Sequence, residues 1–251
     1  MMSASNQASK TPSEKSGSFP QTLWTMVLEA GGSSSAQSAE ALARLCQIYW
    51  YPIYVYLRRH GTSSHDAEDL TQAFLARLCD KQRLGNLTRD KGKFRSYLLV
   101  ALKHFVADEA AKASAKKRGG GETVISLDAL EAEDRYAQEP ADLMDPERAF
   151  ERQWALTVLE NTNRCIAEEF AASGKQERFE QLQPYLLGDP ADKTFADAAA
   201  RFGMSEGGLK MAVSRLRHRF RELFREEIAA LVVTDGDVEE EMQHVFAVLG
   251  R

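Results

Sequence analysis

Apolar residues recur every three or four positions along most of the chain, which is the spacing of one face of an α-helix. The first stripe ends at Gly61, and Ser63 or Ser64 can cap the helix that carries the second stripe. Pro52 interrupts the first helix and is expected to kink it. The stripe positions are Leu42, Leu45, Tyr49, Ile53, Tyr56 and Leu57, and then Ala67, Leu70, Phe74 and Leu78.

Two later stripes follow the same helical spacing. They consist of Phe94, Tyr97, Leu98, Ala101 and Phe105, and of Phe150, Trp154, Val158, Ile166 and Phe170. Glycines 119–121 separate the two groups of helices, because three successive glycines rarely continue a helix. No alternating pattern is long enough for a strand, so we predict an all-α fold of two small helical domains joined by a flexible acidic linker.

The predicted boundaries follow these breaks in the pattern. They are a disordered tail at 1–18, a first domain at 19–118, the linker at 119–145, a second domain containing a helix-turn-helix at 146–231, and an acidic C-terminal extension at 232–251.

Composition and charge narrow the class of protein. Of the 251 residues, 43% are hydrophobic and 27% are charged, which is ordinary for a globular chain with a core. The net charge of −5 hides two basic blocks, since residues 89–118 hold nine Lys or Arg against three acids, and residues 193–225 hold eight against three. Charges act on a polyanion within a Debye length of about 10 Å, so each block counts separately. The blocks indicate a two-point grip on nucleic acid. The acidic linker and the C-terminal extension are either regulatory or simply solvated, and we favour solvation.

The cysteines and the apolar runs bear on location. Cys46, Cys79 and Cys165 lie far apart along the chain, which argues against a disulfide framework or a zinc cluster. They are interpreted as small buried apolar side chains in a reducing compartment. No apolar run reaches the length of a membrane-spanning helix, and the polar N-terminus is unlike a secretory signal. We therefore expect a cytoplasmic protein without a membrane span.

Residues 194–217 are typical of a helix-turn-helix. A first helix ends at Phe202, Gly203 permits a sharp turn, and Ser205 can cap the second helix. The second helix has an inward stripe of Leu209, Ala212, Leu216 and Phe220, and a mostly basic face of Lys210, Ser214, Arg217 and Arg221. A recognition helix presents such donors to base edges and phosphates in the major groove. The alternative is an ordinary helical hairpin with a solvated basic face.

Two further motifs precede this segment. Residues 66–78 read DAEDLTQAFLARL, and residues 94–105 read FRSYLLVALKHF. With the helix-turn-helix behind them, they resemble a sigma factor of bacterial RNA polymerase, of the extracytoplasmic-function (ECF) type. In that family the first motif is the polymerase-binding helix, the second is the promoter-melting helix, and the helix-turn-helix reads the upstream promoter element. The resemblance covers about residues 20–118 and 146–230.

The resemblance implies three sets of site residues. Polymerase binding would use Asp66, Asp69, Gln72, Phe74 and Arg77. Promoter melting and single-strand binding would use Lys91, Lys93, Phe94, Arg95, Tyr97, Lys103 and His104. Upstream DNA would be bound by Ser205, Glu206, Lys210, Ser214, Arg215, Arg217 and Arg221. In the melting set, aromatic rings would stack an unpaired base and the cations would hold its phosphates, although the aromatic stripe is mostly core on physical grounds.

The implied function is that of a dissociable transcription-initiation subunit, with core polymerase and promoter DNA as partners. An anti-sigma partner is left open. The alternative is a helix-turn-helix regulator that acts without entering the polymerase. We expect no enzyme, because the sequence lacks clustered acids, a nucleophile–base pair and a phosphate loop. We also expect no metal or cofactor, because the acids of residues 65–69 point in different directions around their helix.

Overall fold

The computed structural model describes residues 36–79, 93–115, 127–138, 145–188, 194–232 and 235–250. Within these ranges the chain forms nine α-helices and no strand, which confirms the all-α prediction. The helices are α1 (Ala36–Arg59), α2 (Ser64–Leu78), α3 (Phe94–Ala115), α4 (Leu127–Ala137), α5 (Pro146–Ala172), α6 (Gln176–Leu182), α7 (Phe195–Arg201), α8 (Glu206–Leu231) and α9 (Asp235–Leu249). A short 3₁₀ turn, Gln183–Tyr185, follows α6. The predicted tail at 1–18 lies outside the described residues.

Local sequence signals explain where several helices begin. The Ser63 hydroxyl accepts a hydrogen bond of 3.2 Å from the backbone N–H of Asp66 and caps α2, as predicted. Asp145 caps α5 in the same way, and Pro146 occupies the first turn, where a missing N–H costs nothing. Gly61 has a φ of 90°, a conformation that other residues adopt only with strain. Pro52 lies inside α1 and does not end it.

The larger core forms where α1 packs along α5, with α2, α3, α8 and α9 closing over them. Its centre is aromatic. The ring of Tyr49 lies 5.2 Å from that of Phe94, edge to face, and 6.4 Å from that of Phe150. These three residues come from α1, α3 and α5, so the core draws on both predicted domains. The domain boundaries themselves stay a prediction.

A smaller core lies at the other end of α5. It contains Ile166, Phe179, Leu182, Tyr185, Ala198, Ala199, Leu209, Val213, Leu216 and Leu223. These residues come from α5 to α8 and the 3₁₀ turn. Helix α5 has 27 residues and α8 has 26, so each is about 40 Å long at 1.5 Å per residue. Both helices contribute to both cores and thereby link them.

The predicted flexible linker is wrong for residues 127–137, which form α4. Ala132 is buried in the larger core, and Glu133 accepts a hydrogen bond of 2.8 Å from Arg58. Arg135 pairs with Glu160 at 2.9 Å. One acid of the segment, Glu133, thus binds an arginine of α1, and Arg135 binds an acid of α5, while buried Ala132 and partly buried Tyr136 supply the packing. Because residues 127–137 have few large apolar side chains, their sequence shows only weakly the helical spacing that would have predicted α4.

The favoured solvation of the C-terminal extension is also wrong, for residues 235–249. These form α9, in which Val238, Met242 and Val245 are buried against α5 and α8. Their spacing of four and three is helical, and it was hidden by the run of acids between them. One of those acids, Glu241, is itself only 2% exposed. Of the helices described, none is both long and apolar enough to cross a membrane.

Candidate nucleic-acid interface

The connection between α7 and α8 is short and well capped. The Thr194 hydroxyl accepts a hydrogen bond from the N–H of Asp197 at 3.2 Å, and that of Ser205 accepts one from Gly208 at 3.1 Å. Gly203 has a φ of 65°, so it supplies the left-handed residue of the turn. Ala199 is 2% exposed where the two helices meet. These features bring α7 close to the start of α8 and leave one side of α8 facing outward.

The outward side of α8, which we name the α8 face, consists of Gly207, Lys210, Met211, Ser214, His218 and Arg221. Its members recur at the helical spacing, and all of them are exposed. Lys210 forms an ion pair of 2.6 Å with Glu206, one turn earlier. Arg215 is exposed on the flank of this face. Neither Arg215 nor Arg221 has an ion-pair partner among the described residues.

The structure separates Arg217 from the other upstream-element residues predicted from the sequence. Ser205, Glu206, Lys210, Ser214, Arg215 and Arg221 are all exposed, whereas Arg217 is half-buried. Its Nε donates a hydrogen bond of 2.9 Å to the carbonyl of Tyr185. Arg217 therefore ties α8 to the 3₁₀ turn that follows α6. This hydrogen bond gives it a structural role that the sequence reasoning missed.

The start of α3 is placed differently from the expectation. Phe94 is 1% exposed and packs on Tyr49, so it is a core residue in this arrangement rather than a platform for a flipped base. Arg95 is 6% exposed. It pairs with Glu151 of α5 and with Glu241 of α9 at 3.2 Å, and its guanidinium lies 4.9 Å from the centre of the Trp154 ring. Carboxylates thus occupy the positions where phosphates were expected.

Neighbouring cations of α3 are paired in the same way. Lys93 lies 2.8 Å from Glu241 and 3.1 Å from Glu240, and Lys103 lies 2.5 Å from Glu147. Tyr97 is half-buried and His104 is exposed. Lys91 lies outside the described residues. The acids from α5 and α9 therefore pair with three cations that the resemblance assigned to single-stranded DNA, Lys93, Arg95 and Lys103, and we call this paired surface the covered face of α3.

The opposite charges at this contact shift the pKa values of both Glu241 and Arg95. Burial alone would raise the pKa of the Glu241 carboxyl, but hydrogen bonds and charge from Arg95 and Lys93 outweigh it and lower that pKa. For Arg95, burial opposes the charged form, yet the hydrogen bond to Glu241 and the charge of Glu151 raise its pKa. Both groups are therefore charged at neutral pH. The sequence reasoning missed Glu151 and Glu241 because nothing in a charge run shows which acid turns inward.

On α2 the predicted polymerase-binding residues divide into two groups. Asp66, Asp69 and Gln72 are exposed, and Gln72 donates a hydrogen bond of 3.2 Å to Glu68. Phe74, in contrast, is 3% exposed, with its ring 5.4 Å from that of Phe105. Its place in a helical apolar stripe makes it a core residue, which corrects its assignment to a partner surface.

The fifth residue of that set, Arg77, is half-buried. It pairs with Asp108 at 3.3 Å and lies 5.6 Å from the centre of the Phe105 ring. Arg77 therefore joins α2 to α3. The exposed part of the predicted polymerase surface consists of Asp66, Asp69 and Gln72.

Comparison with known proteins gives no relative. No family model matches the chain, and neither a curated protein nor a solved structure matches it. Among the described residues, no three His, Cys, Asp or Glu side chains gather in a way that could hold a metal ion. The functional argument therefore depends on the α8 face, the exposed polar residues of α2 and the covered face of α3.

Changing Glu241 to Gln should lower the free energy of unfolding by about 3 kcal/mol at pH 7, because it leaves Arg95 buried with one carboxylate instead of two. The loss should shrink as the pH falls below about 4.3. A carboxyl whose pKa is lowered by folding stabilises the protein above its unfolded pKa, and that contribution disappears as the pH falls through the folded value. Urea unfolding of both proteins from pH 7 to pH 3 measures the difference.

Glu239→Gln is the matched control on the same helix, since Glu239 forms an exposed pair with Arg225 at 3.3 Å. It should cost less than about 1 kcal/mol. Equal small effects of the two substitutions, or a Glu241→Gln loss that does not change with pH, would contradict the described contact.

Proposed function

We propose that this chain is a transcription-initiation subunit of the sigma-factor kind, which binds core RNA polymerase through α2 and promoter DNA through α8. The observation that carries the proposal is the α8 face. It is exposed, it carries Lys210 and Arg221 with Arg215 on its flank, and it follows a short capped turn from α7. In the proposal, α7 and α8 are the helix-turn-helix expected from the sequence, and α8 is its recognition helix.

The spacing along α8 suits a major groove. Lys210 and Arg221 are eleven positions apart, which is about 16 Å along the helix axis. The major groove is about 12 Å wide, so a helix with Lys210 on base edges can bring Arg221 to a phosphate at the groove edge. Arg215 lies on the flank and can reach the other side of the groove. Lys210 is then a base-reading residue, while Arg215 and Arg221 bind the backbone.

Three exposed polar residues of α2 are the proposed contact with the polymerase. Asp69 lies three residues from both Asp66 and Gln72, so it is a neighbour of each on the helix surface. Arg77 and Phe74 hold α2 against α3 from behind. The proposed surface therefore rests on a helix that is fixed in place before a partner arrives.

The covered face of α3 has to open for promoter melting. In the proposal, phosphates of the melted strand replace the carboxylates of Glu151 and Glu241 as partners of Arg95. The exchange is chemically matched, because a guanidinium binds both groups through the same fork of N–H donors. Release of α9 from α3 is then a step that accompanies DNA melting.

The pairing of α9 with α3 also favours a second candidate function. While Glu241 of α9 pairs with Lys93 and Arg95, the α8 face remains exposed and these two cations are not available to DNA. A chain that stays in this arrangement would be a DNA-binding regulator that acts without entering the polymerase. The two functions differ in whether the protein makes core polymerase initiate.

Run-off transcription with purified core polymerase separates these functions. The test uses a library of upstream sequences first selected for binding to the full chain. On the selected templates, the proposed function predicts transcripts that require the chain and start at one position. DNA binding without any transcript would favour the regulator. Absence of both binding and transcription would contradict both functions.

Arg221→Ala should weaken binding to selected and scrambled duplexes alike and should lower the slope of log affinity against log salt by about one unit. The cause is the loss of one phosphate contact and of the counterions that it releases.

Arg217→Ala should instead lower the free energy of unfolding by about 1–2 kcal/mol, because the Tyr185 carbonyl loses its hydrogen bond. Binding isotherms from 50 to 300 mM salt, over which the Debye length falls from about 14 to about 6 Å, measure the salt slope, and urea unfolding measures the free energy of unfolding.

Arg164→Ala is the control for loss of one positive charge, because Arg164 is exposed on α5, away from the α8 face, and pairs with Glu168 at 3.2 Å. It should leave the salt slope unchanged. If Arg221→Ala also leaves the slope unchanged, the α8 face does not bind DNA in the proposed geometry.

Asp69→Ala combined with Gln72→Ala should weaken binding to core polymerase at least tenfold, a cost of about 1.4 kcal/mol or more. Both residues are exposed, so the helical content and the unfolding midpoint should stay unchanged. Gln176→Ala combined with Glu180→Ala on α6 removes a similar exposed amide–acid pair, with atoms 3.1 Å apart, and serves as the control. Equal affinities for the two double variants would remove α2 from the polymerase interface.

A further inference from the structure

Two cysteines that are distant in sequence lie side by side. Cys46 is on α1, and Cys79 follows the last residue of α2, where its N–H donates to the carbonyl of Leu75 at 2.9 Å. Their Sγ atoms are 3.9 Å apart, and both side chains are partly exposed. The third cysteine, Cys165, is on α5 and contacts Glu227. The helical packing of α1 against α2 therefore creates a thiol pair that the sequence spacing did not indicate.

The two thiols are chemically unequal. A hydrogen bond from Cys46 lowers the pKa of Cys79 to about 7, against the opposing effect of burial. The same hydrogen bond, with burial, raises the pKa of Cys46. Cys79 is thus the thiol of the pair that ionises more readily, and a thiol whose pKa lies near ambient pH is the best attacking group.

Small molecules can reach both thiols from the solvent, because both side chains are partly exposed. Cys46 lines an open cavity of about 390 Å³ between α1 and α4, together with Trp50 and Glu131. A peroxide needs only a fraction of that volume. Accessible low-pKa cysteines beside a second thiol are the ones that oxidise reversibly.

We propose that Cys46 and Cys79 are a redox site that forms a reversible intramolecular disulfide, with a hydroperoxide as the oxidant. The Cys79 thiolate attacks one peroxide oxygen, the O–O bond breaks, and the leaving oxygen takes up a proton. Cys79 is oxidised by two electrons to a sulfenic acid while the peroxide is reduced to water or an alcohol. The Cys46 sulfur then attacks the Cys79 sulfur, the S–O bond breaks, and the hydroxide leaves as water with the proton from Cys46.

The reverse step needs a dithiol reductant, which reopens the disulfide by thiol exchange and is itself oxidised. To bond, the sulfur atoms, which are 3.9 Å apart, must approach each other by about 2 Å. The bond would join α1 to the end of α2. Disulfides in reducing compartments are typically transient and redox-sensing, and this pair has the exposure and asymmetry of that class.

The test treats the reduced full chain with hydrogen peroxide and then alkylates the remaining thiols. Trypsin cleavage places Cys46 in residues 45–58 and Cys79 in residues 78–81, so mass spectrometry identifies the pair directly. We expect these peptides to be linked, with the loss of two hydrogens, and Cys165 to be alkylated. Dithiothreitol should restore both free peptides. Circular dichroism before and after oxidation checks that the helices persist.

Three variants assign the steps. Cys165→Ser should form the disulfide as the natural chain does. Cys46→Ser should accumulate a sulfenic acid on Cys79 that a dimedone probe captures, because no thiol remains beside it, while the serine hydroxyl still offers a donor. Cys79→Ser should form neither product.

In folded wild-type chain, any other state of the two thiols after oxidation overturns the proposal. Such states are two unreacted thiols, two separately oxidised sulfurs, or a disulfide that contains Cys165 or a second chain. A sulfenic acid found on Cys46 in Cys79→Ser, at the rate seen for Cys79, would overturn the assigned order of attack.

Discussion

The fold depends on a buried cation. Arg95 lies at the start of α3 beneath Trp154, and its charge could not stay there without the carboxylates of Glu151 and Glu241. An unpaired charge in such a place costs several kcal/mol, so α5 and α9 are required wherever α3 is folded in this position. The contact also fixes the orientation of the partners, because the N–H groups of a guanidinium donate to carboxylates that lie in its plane. One arginine thereby sets the arrangement of three helices that are far apart in the chain.

That arrangement decides which surfaces are open. Lys93 and Lys103 are drawn into the same acidic contacts, so the positive charge of α3 is balanced within the molecule. The positive charge of α8 is only partly balanced, since Arg215 and Arg221 remain exposed. The two basic blocks of the sequence therefore differ in the structure, because the cations of α3 are paired with acids and some of those of α8 are not. A polyanion that approaches this structure meets α8 first, and it reaches α3 only by displacing carboxylates of similar chemistry.

The sequence predicted burial better than it predicted partners. Stripes such as Leu45, Tyr49 and Ile53 are buried as expected, because helical spacing shows which side of a helix is apolar. Spacing does not show which helix covers that side, so the packing of α1 on α5 was not foreseen. Phe74 and Phe94 stand in helical apolar stripes, which place them in the core, whereas the family motifs assign them to binding surfaces; their burial agrees with the stripes. The inward turn of Glu241 and the meeting of Cys46 with Cys79 arise from tertiary contacts alone, and a single sequence carries no local signal for them.

The most direct test of this account is hydrogen–deuterium exchange of the full chain without partners, read in peptides that cover 238–249 and 94–105. Amides that open only when the core opens exchange together and slowly, whereas amides of a loosely attached helix exchange early. If α9 is held on α3 through Arg95, both peptides should exchange at similar slow rates, and Glu241→Gln should accelerate 238–249 more than 94–105. Exchange of 238–249 at the rate of unstructured chain, with 94–105 still protected, would contradict the account.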